Sequence, residues 1–210
     1  MDKGMIIDWK NFRSMALEMT EKGYIPVFGK FCPELEEVVV ESIFQAKKQG
    51  KKKVTLLINS NGGQNDSFTA IKSAMVISEM EFTGFVMSRA RSNGFRLLQH
   101  CHNRLAVRNA ELMFHWGQSS LGNSEIASLM DGQTWATDHI VTQRKAMAQE
   151  VHERTGVPLN KLYELARYDR MLTAQEGMEL NFIDEIVEDT PQAIKKALEN
   201  APEPPDDNTD

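Results

Sequence analysis

Ser92 lies at a turn between a short apolar segment and a helix, a favourable position for a nucleophilic serine. Phe82–Met87 is typical of a buried strand, and the residues from Phe95 onward have helical spacing. Such a turn exposes the hydroxyl at the carboxyl edge of the sheet, beside the free N–H groups of the helix start. Asn93 and Gly94 would offer backbone N–H groups to a developing oxyanion. The alternative is that Ser92 only caps the helix.

A second loop with chemical potential is Asn61-Gly62-Gly63, which follows the apolar run Val54–Ile58. Paired glycines allow backbone N–H groups to point into a cleft, where they bind a carbonyl oxygen or an anion. No Lys-Ser or Lys-Thr pair follows, so the loop lacks the signature of a nucleotide site. An ordinary turn and a phosphate-binding bend both stay open as alternatives.

His115 and Asp169 are the candidates for the proton-transfer partners of Ser92. His115 follows an apolar run, and a strand end at the same sheet edge lets an imidazole reach a serine on a neighbouring strand. Asp169 follows a helix and would accept the second imidazole proton, which fixes the tautomer. As alternatives, His115 is a packed or surface histidine and Asp169 caps the following helix. The other four histidines suit the role less well: His100 and His102 after Ser92, and His139 and His152 in a long polar segment.

The elements that must position these residues alternate between strands and helices. The remaining predicted elements are strands at 24–31, 104–107, 112–115 and 182–187, and helices at 33–50, 66–80, 159–167 and 173–180. This order favours an α/β fold with a mainly parallel sheet and right-handed crossovers. Thr173 and Glu176 have the spacing of a capping box. Residues 124–155 form a long, mostly polar segment with helical periodicity, interrupted at Gly132, and are predicted to project as an arm.

Composition restricts the class of protein further. The chain has 210 residues, 41% of them hydrophobic, which suits one domain with a full core. Its net charge is -6, and its one basic run, at 47–53, lies at a helix end, so a nucleic-acid partner is not expected. Two cysteines predict neither a disulfide framework nor a zinc site, and the first residues contain no long apolar run, so neither a signal peptide nor a membrane anchor is expected there. We therefore expect a cytoplasmic protein without metal or cofactor.

In this order, the segments resemble the proteolytic subunit of the Clp protease family. Ile58-Asn-Ser-Asn-Gly-Gly63 resembles the family's Ile-Asn-Ser-Pro-Gly-Gly loop, and Arg91-Ser-Asn-Gly94 resembles its Ala-Ser-Met-Gly nucleophile turn. Met113-Phe-His115 matches Met-Ile-His. Asp169–Glu176 matches the family's aspartate before a Ser/Thr-Ala-x-Glu helix, and Leu180–Asp184 resembles Tyr-Gly-Leu-Ile-Asp. Several ordered motifs are far more specific than any one of them.

The resemblance implies a crotonase-like α/β domain of repeated ββα units over residues 24–190, with a protruding handle helix at 124–155. We expect an N-terminal segment at 1–23 before this domain. After it we expect a C-terminal helix at 191–200 and a disordered acidic tail at 201–210. It also implies a serine endopeptidase that forms an acyl-enzyme inside a ring-shaped homo-oligomer. Ser92 would be the nucleophile, His115 the base and Asp169 the orienting residue, with Gly63 and Asn93 N–H groups as the oxyanion hole. Peptides or unfolded proteins would be substrates, and an AAA+ unfoldase a partner.

The chain departs from the family pattern next to the nucleophile. Asn61 stands where the family has Pro, and Asn93 stands where it has Met. Arg91 and Phe95 each replace a small residue. Bulky cations there would narrow the specificity pocket or favour acidic and polar side chains. Four alternatives to an active peptidase of this kind stay open: a catalytically impaired or regulatory subunit, a crotonase-type enzyme acting on a coenzyme A thioester, a Ser-Lys peptidase, and a phage capsid-maturation protease with the same fold.

Overall fold

The apolar runs form a mostly parallel sheet at the centre of the computed structural model, which describes residues 8–117 and 121–199. Within these residues β1, β2, β3, β4 and β7 pair in that order and in parallel, β5 pairs in parallel with the end of β3, and β6 is antiparallel to β5. The strands are β1 (Tyr24–Phe31), β2 (Lys53–Gly63), β3 (Glu81–Arg91), β4 (Asn103–Val107), β5 (Glu111–Met113), β6 (Leu172–Thr173) and β7 (Glu185–Val187). The predicted α/β fold is confirmed.

Helices connect most of the strands and cover the sheet. In the described part of the chain they are α1 (Trp9–Glu21), α2 (Pro33–Lys48), α3 (Asn65–Ser78), α4 (Asn93–Gln99), α5 (Asn123–Met130), α6 (Trp135–Thr155), α7 (Leu159–Arg167), α8 (Ala174–Glu179) and α9 (Pro191–Glu199). The capping box is confirmed, since the Thr173 side chain accepts from the Glu176 N–H and the Glu176 side chain accepts from the Thr173 N–H. Strands β2 and β3 extend beyond their apolar runs into the candidate site loops.

Aromatic side chains fill the core around α4. Phe95, which stands where the family has a small residue, is fully buried. Its ring centroid lies 4.9 Å from that of Phe182 in edge-to-face geometry and 5.8 Å from that of Phe114. Aromatic pairs of this kind add stability beyond the area they bury. The larger residue is therefore accommodated as a core side chain beneath the helix that follows Ser92.

Helix α1 lies before the predicted start of the domain at residue 24, yet it packs on the domain body. Asp8 caps it by accepting from the N–H groups of the first turn. Ala16 is fully buried, and Phe12 contacts both Trp9 and Phe28 of β1, with ring centroids 5.6 and 6.1 Å apart. An apolar spacing of three and four residues along α1 is the sequence signal for this contact.

The predicted arm at 124–155 is only partly an arm. It divides into α5 and α6 near Gly132, whose φ of 77° ends the first helix. Exposed apolar residues lie on α5 and the start of α6, including Met130 and Trp135. Near the end of α6, however, Ala148 and Val151 are buried in the core. Because these small apolar residues pack inward, the second half of α6 forms part of the body.

Helix α9 ends at Glu199, the last described residue, so its predicted end at residue 200 and the predicted disordered tail at 201–210 lie outside the described residues. None of the helices within residues 8–117 and 121–199 combines the length and the apolar composition that crossing a bilayer requires.

Candidate active site

Ser92 occupies the single position between β3 and α4 and has an unusual backbone conformation. Its φ is 54° and its ψ is -121°, a region that residues other than glycine seldom adopt. The Ser92 N–H donates to the carbonyl of Met113 on β5 at 2.9 Å, which ties this turn to the strand that leads to His115. Although Ser92 stands at the N-cap position, its side chain makes no capping hydrogen bond. The hydroxyl is therefore not used as a helix cap.

The glycine pair at the end of β2 lies directly against Ser92. A Cβ atom on Gly62 would lie 2.5 Å from Ser92 Cβ and 2.9 Å from Ser92 Oγ, and the φ of Gly62 is 89°. A Cβ on Gly63 would lie 2.4 Å from the carbonyl oxygen of Phe31. Glycine is required at both positions because neither contact leaves room for a side chain.

Gly94 serves the close packing of α4 on the sheet. A Cβ atom there would lie 3.2 Å from Ser60 Cβ and 3.3 Å from the Ser60 carbonyl oxygen on β2. A larger residue would push the start of the helix away from β2. The turn that carries Ser92 thus depends on three glycines, two in the adjoining loop and one in the helix.

His115 and Asp169 form a hydrogen-bonded pair. His115 Nδ1 lies 2.8 Å from Asp169 Oδ1, and the imidazole is largely buried, with 16% of its side chain exposed. His115 follows β5 by two residues, and Asp169 follows the end of α7 with a φ of 48°. When neutral, an imidazole that donates through Nδ1 has Nε2 free to accept a proton. Thr173, not Asp169, caps α8, so the carboxylate is not used as a helix cap.

One cleft of about 420 Å³ contains all the predicted site residues. Its lining includes Ser92, Asn93 and Gly63 together with His115 and Asp169. In the described residues, Ser92 Oγ and His115 share no hydrogen bond, and such bonds are often long before substrate binds. The structure therefore brings together the five residues that the sequence singled out.

The cleft also contains residues that the sequence reasoning missed. Besides Asn65 and Trp116, four residues on one face of α6 line the cleft: Ile140, Gln143, Arg144 and Met147. Their spacing of three and four residues was visible in the sequence as a helical face. Which element that face would approach depends on the tertiary fold, so the sequence could not assign it to the site.

The Asn93 side chain fastens the glycine loop rather than entering the cleft. Only 2% of the residue is exposed. Its Nδ2 donates to the Gly63 carbonyl at 2.9 Å and to Asn65 Oδ1 at 3.0 Å, while its Oδ1 accepts from Arg96 at 3.1 Å. The first bond joins α4 to the end of β2 and the second joins it to the start of α3, whereas the bond with Arg96 lies within α4. The replacement of the family's methionine by Asn93 therefore adds an anchor beside the candidate oxyanion hole.

Arg91 is engaged by neighbours, which corrects the expectation that it would select substrates directly. Its guanidinium forms an ion pair with Glu111 on β5 and donates to Asn61 Oδ1 at 3.3 Å. Two departures from the family pattern, Arg91 and Asn61, are thus in contact with each other. Because its charge is matched by Glu111, Arg91 is a poor candidate for binding an acidic side chain.

None of the other four histidines lines the cleft, and three of them have contacts elsewhere. His102 Nδ1 accepts from the Phe82 N–H at 3.1 Å, His100 Nε2 lies 3.1 Å from Glu150, and His152 Nδ1 lies 2.9 Å from the Val157 carbonyl. No lysine lines the cleft in the described part of the chain, which leaves a Ser-Lys peptidase without its base. Within those ranges there is also no group of three or more His, Cys, Asp and Glu side chains that could hold a metal ion.

A mostly parallel sheet with a serine and a histidine–aspartate pair at its carboxyl edge is an arrangement that hydrolytic enzymes use. Comparison with known proteins makes this class more specific. A family model described as Clp protease matches residues 11–190. The chain therefore belongs to the Clp protease family, and membership makes it a peptidase, a hydrolase of peptide bonds.

Curated relatives agree with this family. ATP-dependent Clp protease proteolytic subunits of Streptococcus salivarius, Streptococcus thermophilus and Streptococcus pneumoniae are each 26% identical to this chain over 152 residues. The similar region covers 71% of this chain and 76% of each relative. The similarity thus extends over most of both chains.

Proposed function

We propose that the chain is a serine endopeptidase with Ser92 as nucleophile, His115 as general base and Asp169 as the residue that orients His115. His115 Nε2 takes the Ser92 proton while Oγ attacks the scissile carbonyl carbon. The N–H groups of Gly63 and Asn93 hold the oxyanion of the tetrahedral intermediate. His115 then protonates the leaving amine, and a water molecule, activated by His115, releases the acyl group from Ser92.

The observation that carries this proposal is the meeting of three separate chain segments in one cleft. Ser92 adopts a strained turn conformation without using its hydroxyl as a cap, and His115 is held 2.8 Å from Asp169 in the same cleft. Strain of this kind in a non-glycine residue is found preferentially at functional sites. Arg91 and Asn93 depart from the family pattern, but their side chains are bound by Glu111 and by the Gly63 carbonyl. This supports an active subunit over an impaired one.

We also propose that the chain works as a ring-shaped homo-oligomer with an ATPase partner, in the cytoplasm. The relatives are named as subunits of an ATP-dependent protease, which supports both the assembly and the partner. Exposed apolar side chains on α5 and the start of α6, among them Met130 with 84% exposure, would be covered in such an assembly. Cys32 and Cys101 are both free thiols, which suits a reducing compartment.

Fluorophosphonate labelling of the purified chain tests the nucleophile without knowledge of the substrate. We expect one adduct, located on Ser92 by peptide mass spectrometry, within an oligomer whose mass is read by native mass spectrometry. His115→Ala should abolish labelling because the hydroxyl then lacks its base. Ser92→Ala should abolish peptide hydrolysis and leave the oligomer intact. A folded oligomer that is not labelled would reject the active peptidase in favour of an impaired or regulatory subunit.

A further inference from the structure

The part of the cleft that α6 forms contains an arginine between two apolar side chains. Ile140, Arg144 and Met147 lie on one face of α6, about one helical turn apart, and all line the same cleft as Ser92. A peptide bound beside Ser92 would therefore lie against this face. The apolar neighbours lower the local dielectric, which strengthens any interaction that the guanidinium makes with a substrate charge.

Arg144 is unpaired in the described part of the chain. It forms neither a hydrogen bond nor an ion pair there, and its Nε is buried without a partner. Arg91 and Arg96, which lie near the site, also have a buried Nε without a partner, but each forms an ion pair with a glutamate through Nη2. The carboxylate that shares the cleft with Arg144, that of Asp169, is held by His115. Among the described residues, therefore, the two outer guanidinium nitrogens of Arg144 have no partner that would compete with a ligand.

We propose that Arg144 is a specificity-determining residue that selects substrates with a glutamate or aspartate side chain next to the scissile bond. The planar guanidinium can bind a carboxylate through two parallel hydrogen bonds, which neither an amide nor an aliphatic side chain can match. This inference rests on the proposed peptidase for the reaction, but the carboxylate site itself is a property of the cleft. The preference for acidic side chains that was expected of Arg91 is thus assigned to Arg144 on α6.

Equilibrium binding to the Ser92→Ala variant tests this site independently of hydrolysis. The probes are fluorescent peptides blocked at both ends that differ at one residue, which is Glu, Gln, Leu or Lys. We expect the Glu peptide to bind about 10-fold more tightly than the Gln peptide, as charge-assisted hydrogen bonds generally allow. Adding Arg144→Gln should remove this preference. Adding Lys145→Gln is the matched control, since it removes the same charge from an exposed neighbour outside the cleft and should leave the preference unchanged.

A charge-reversal variant distinguishes lost recognition of the carboxylate from a disturbed fold. Arg144→Glu should prefer the Lys peptide over the Glu peptide, a gain that misfolding would not produce. Equal binding of the Glu and Gln peptides, or a Glu preference that survives Arg144→Gln, would overturn the proposal.

Hydrolysis by the chain with Ser92 intact is measured separately. If the Glu preference in binding depends on Arg144 but no peptide is cleaved, the carboxylate site stands and the proposed peptidase fails. If peptides are cleaved without any charge preference in binding, the peptidase stands and the role of Arg144 is rejected.

Discussion

At Ser92 the backbone conformation depends on its neighbour Gly62. A non-glycine residue at a φ of 54° costs free energy, so the surrounding structure must hold it in place. Gly62 provides part of that constraint, because the β2 loop packs so closely on Ser92 that a Cβ atom on Gly62 would lie 2.5 Å from Ser92 Cβ. The position of Oγ in the cleft therefore depends on the identity of a residue that has no side chain of its own.

Gly62→Ala should reduce the rate of fluorophosphonate labelling of Ser92 by about 100-fold or more, the effect of misplacing a reacting group by about an ångström. The new Cβ would lie 2.5 Å from Ser92 Cβ, so the turn must shift. Gly50→Ala is the matched control, because Gly50 also has a positive φ, 76°, but has no atom within 4 Å of the added Cβ. Both variants should lose stability in thermal melts, but labelling should fall only in Gly62→Ala. Normal labelling there would contradict the argument.

Individual site residues differed in how far the sequence could identify them. Ser92, His115 and Asp169 could be predicted because each follows a recognisable strand or helix and the three occur in a specific order. The side-chain bonds of Asn93 could not be predicted, nor could the position of Arg144 in the cleft without a partner among the described residues. Both depend on which surfaces meet in the folded chain. A position on an element was therefore predictable, whereas the partner of a side chain was not.

Among the elements, α4 is connected to both the glycine loop and α6 through a short chain of polar contacts. Asn93 at its start binds the Gly63 carbonyl, Arg96 one turn later binds Asn93 Oδ1, and Arg96 Nη2 lies 3.2 Å from Glu150 on α6. The Arg96 guanidinium also stacks over the Phe68 ring at 4.1 Å. These contacts connect the candidate oxyanion hole to α6, which lines the same cleft.

Asn93→Ala should lower the labelling rate of Ser92 by about 10-fold, because the Gly63 loop loses a hydrogen bond that fixes it. Asn93→Asp separates the two halves of the contact, since an aspartate can still accept from Arg96 but cannot donate to the Gly63 carbonyl. We expect the Asp variant to lose at least as much rate as the Ala variant. Recovery of the rate in Asn93→Asp would show that the bond to Arg96, not the bond to Gly63, matters.

The elements themselves were largely predictable, with informative exceptions. Strands β1, β2 and β3 and helices α2, α3 and α7 follow from apolar runs and periodicity. Helix α1 went unpredicted even though Asp8 and an apolar stripe mark it, while α6 was predicted but its buried second half was not. A polar helix with a few small apolar residues gives little sign in its sequence of where it packs.

For the molecule as a whole, two groups of charged residues tie distant parts of the chain together. Arg104, only 2% exposed, bonds Asp184, Gln99 and Asn181 and so fixes the C-terminal part of the domain to β4. Glu150 joins α6 to α3 and α4 through Lys72, Arg96 and His100. Burial acts to raise the pKa of each carboxylate, Asp184 and Glu150, but the bonds and charges of their cationic partners outweigh it, so both pKa values are lowered.

Stability should therefore fall in acid, and Glu150→Gln should reduce that dependence. Because folding lowers the pKa of Glu150, its contribution is fully present above the ordinary carboxyl pKa of about 4 and is lost as the pH falls through the native pKa. Urea denaturation should show Glu150→Gln less stable by about 2 kcal/mol at neutral pH, with the difference shrinking steadily below pH ~4. Glu153→Gln, an exposed change one turn away on α6, should alter neither quantity appreciably. A stability difference for Glu150→Gln that stayed constant into acid would show that packing, and not the charge of the carboxylate, is what Glu150 contributes.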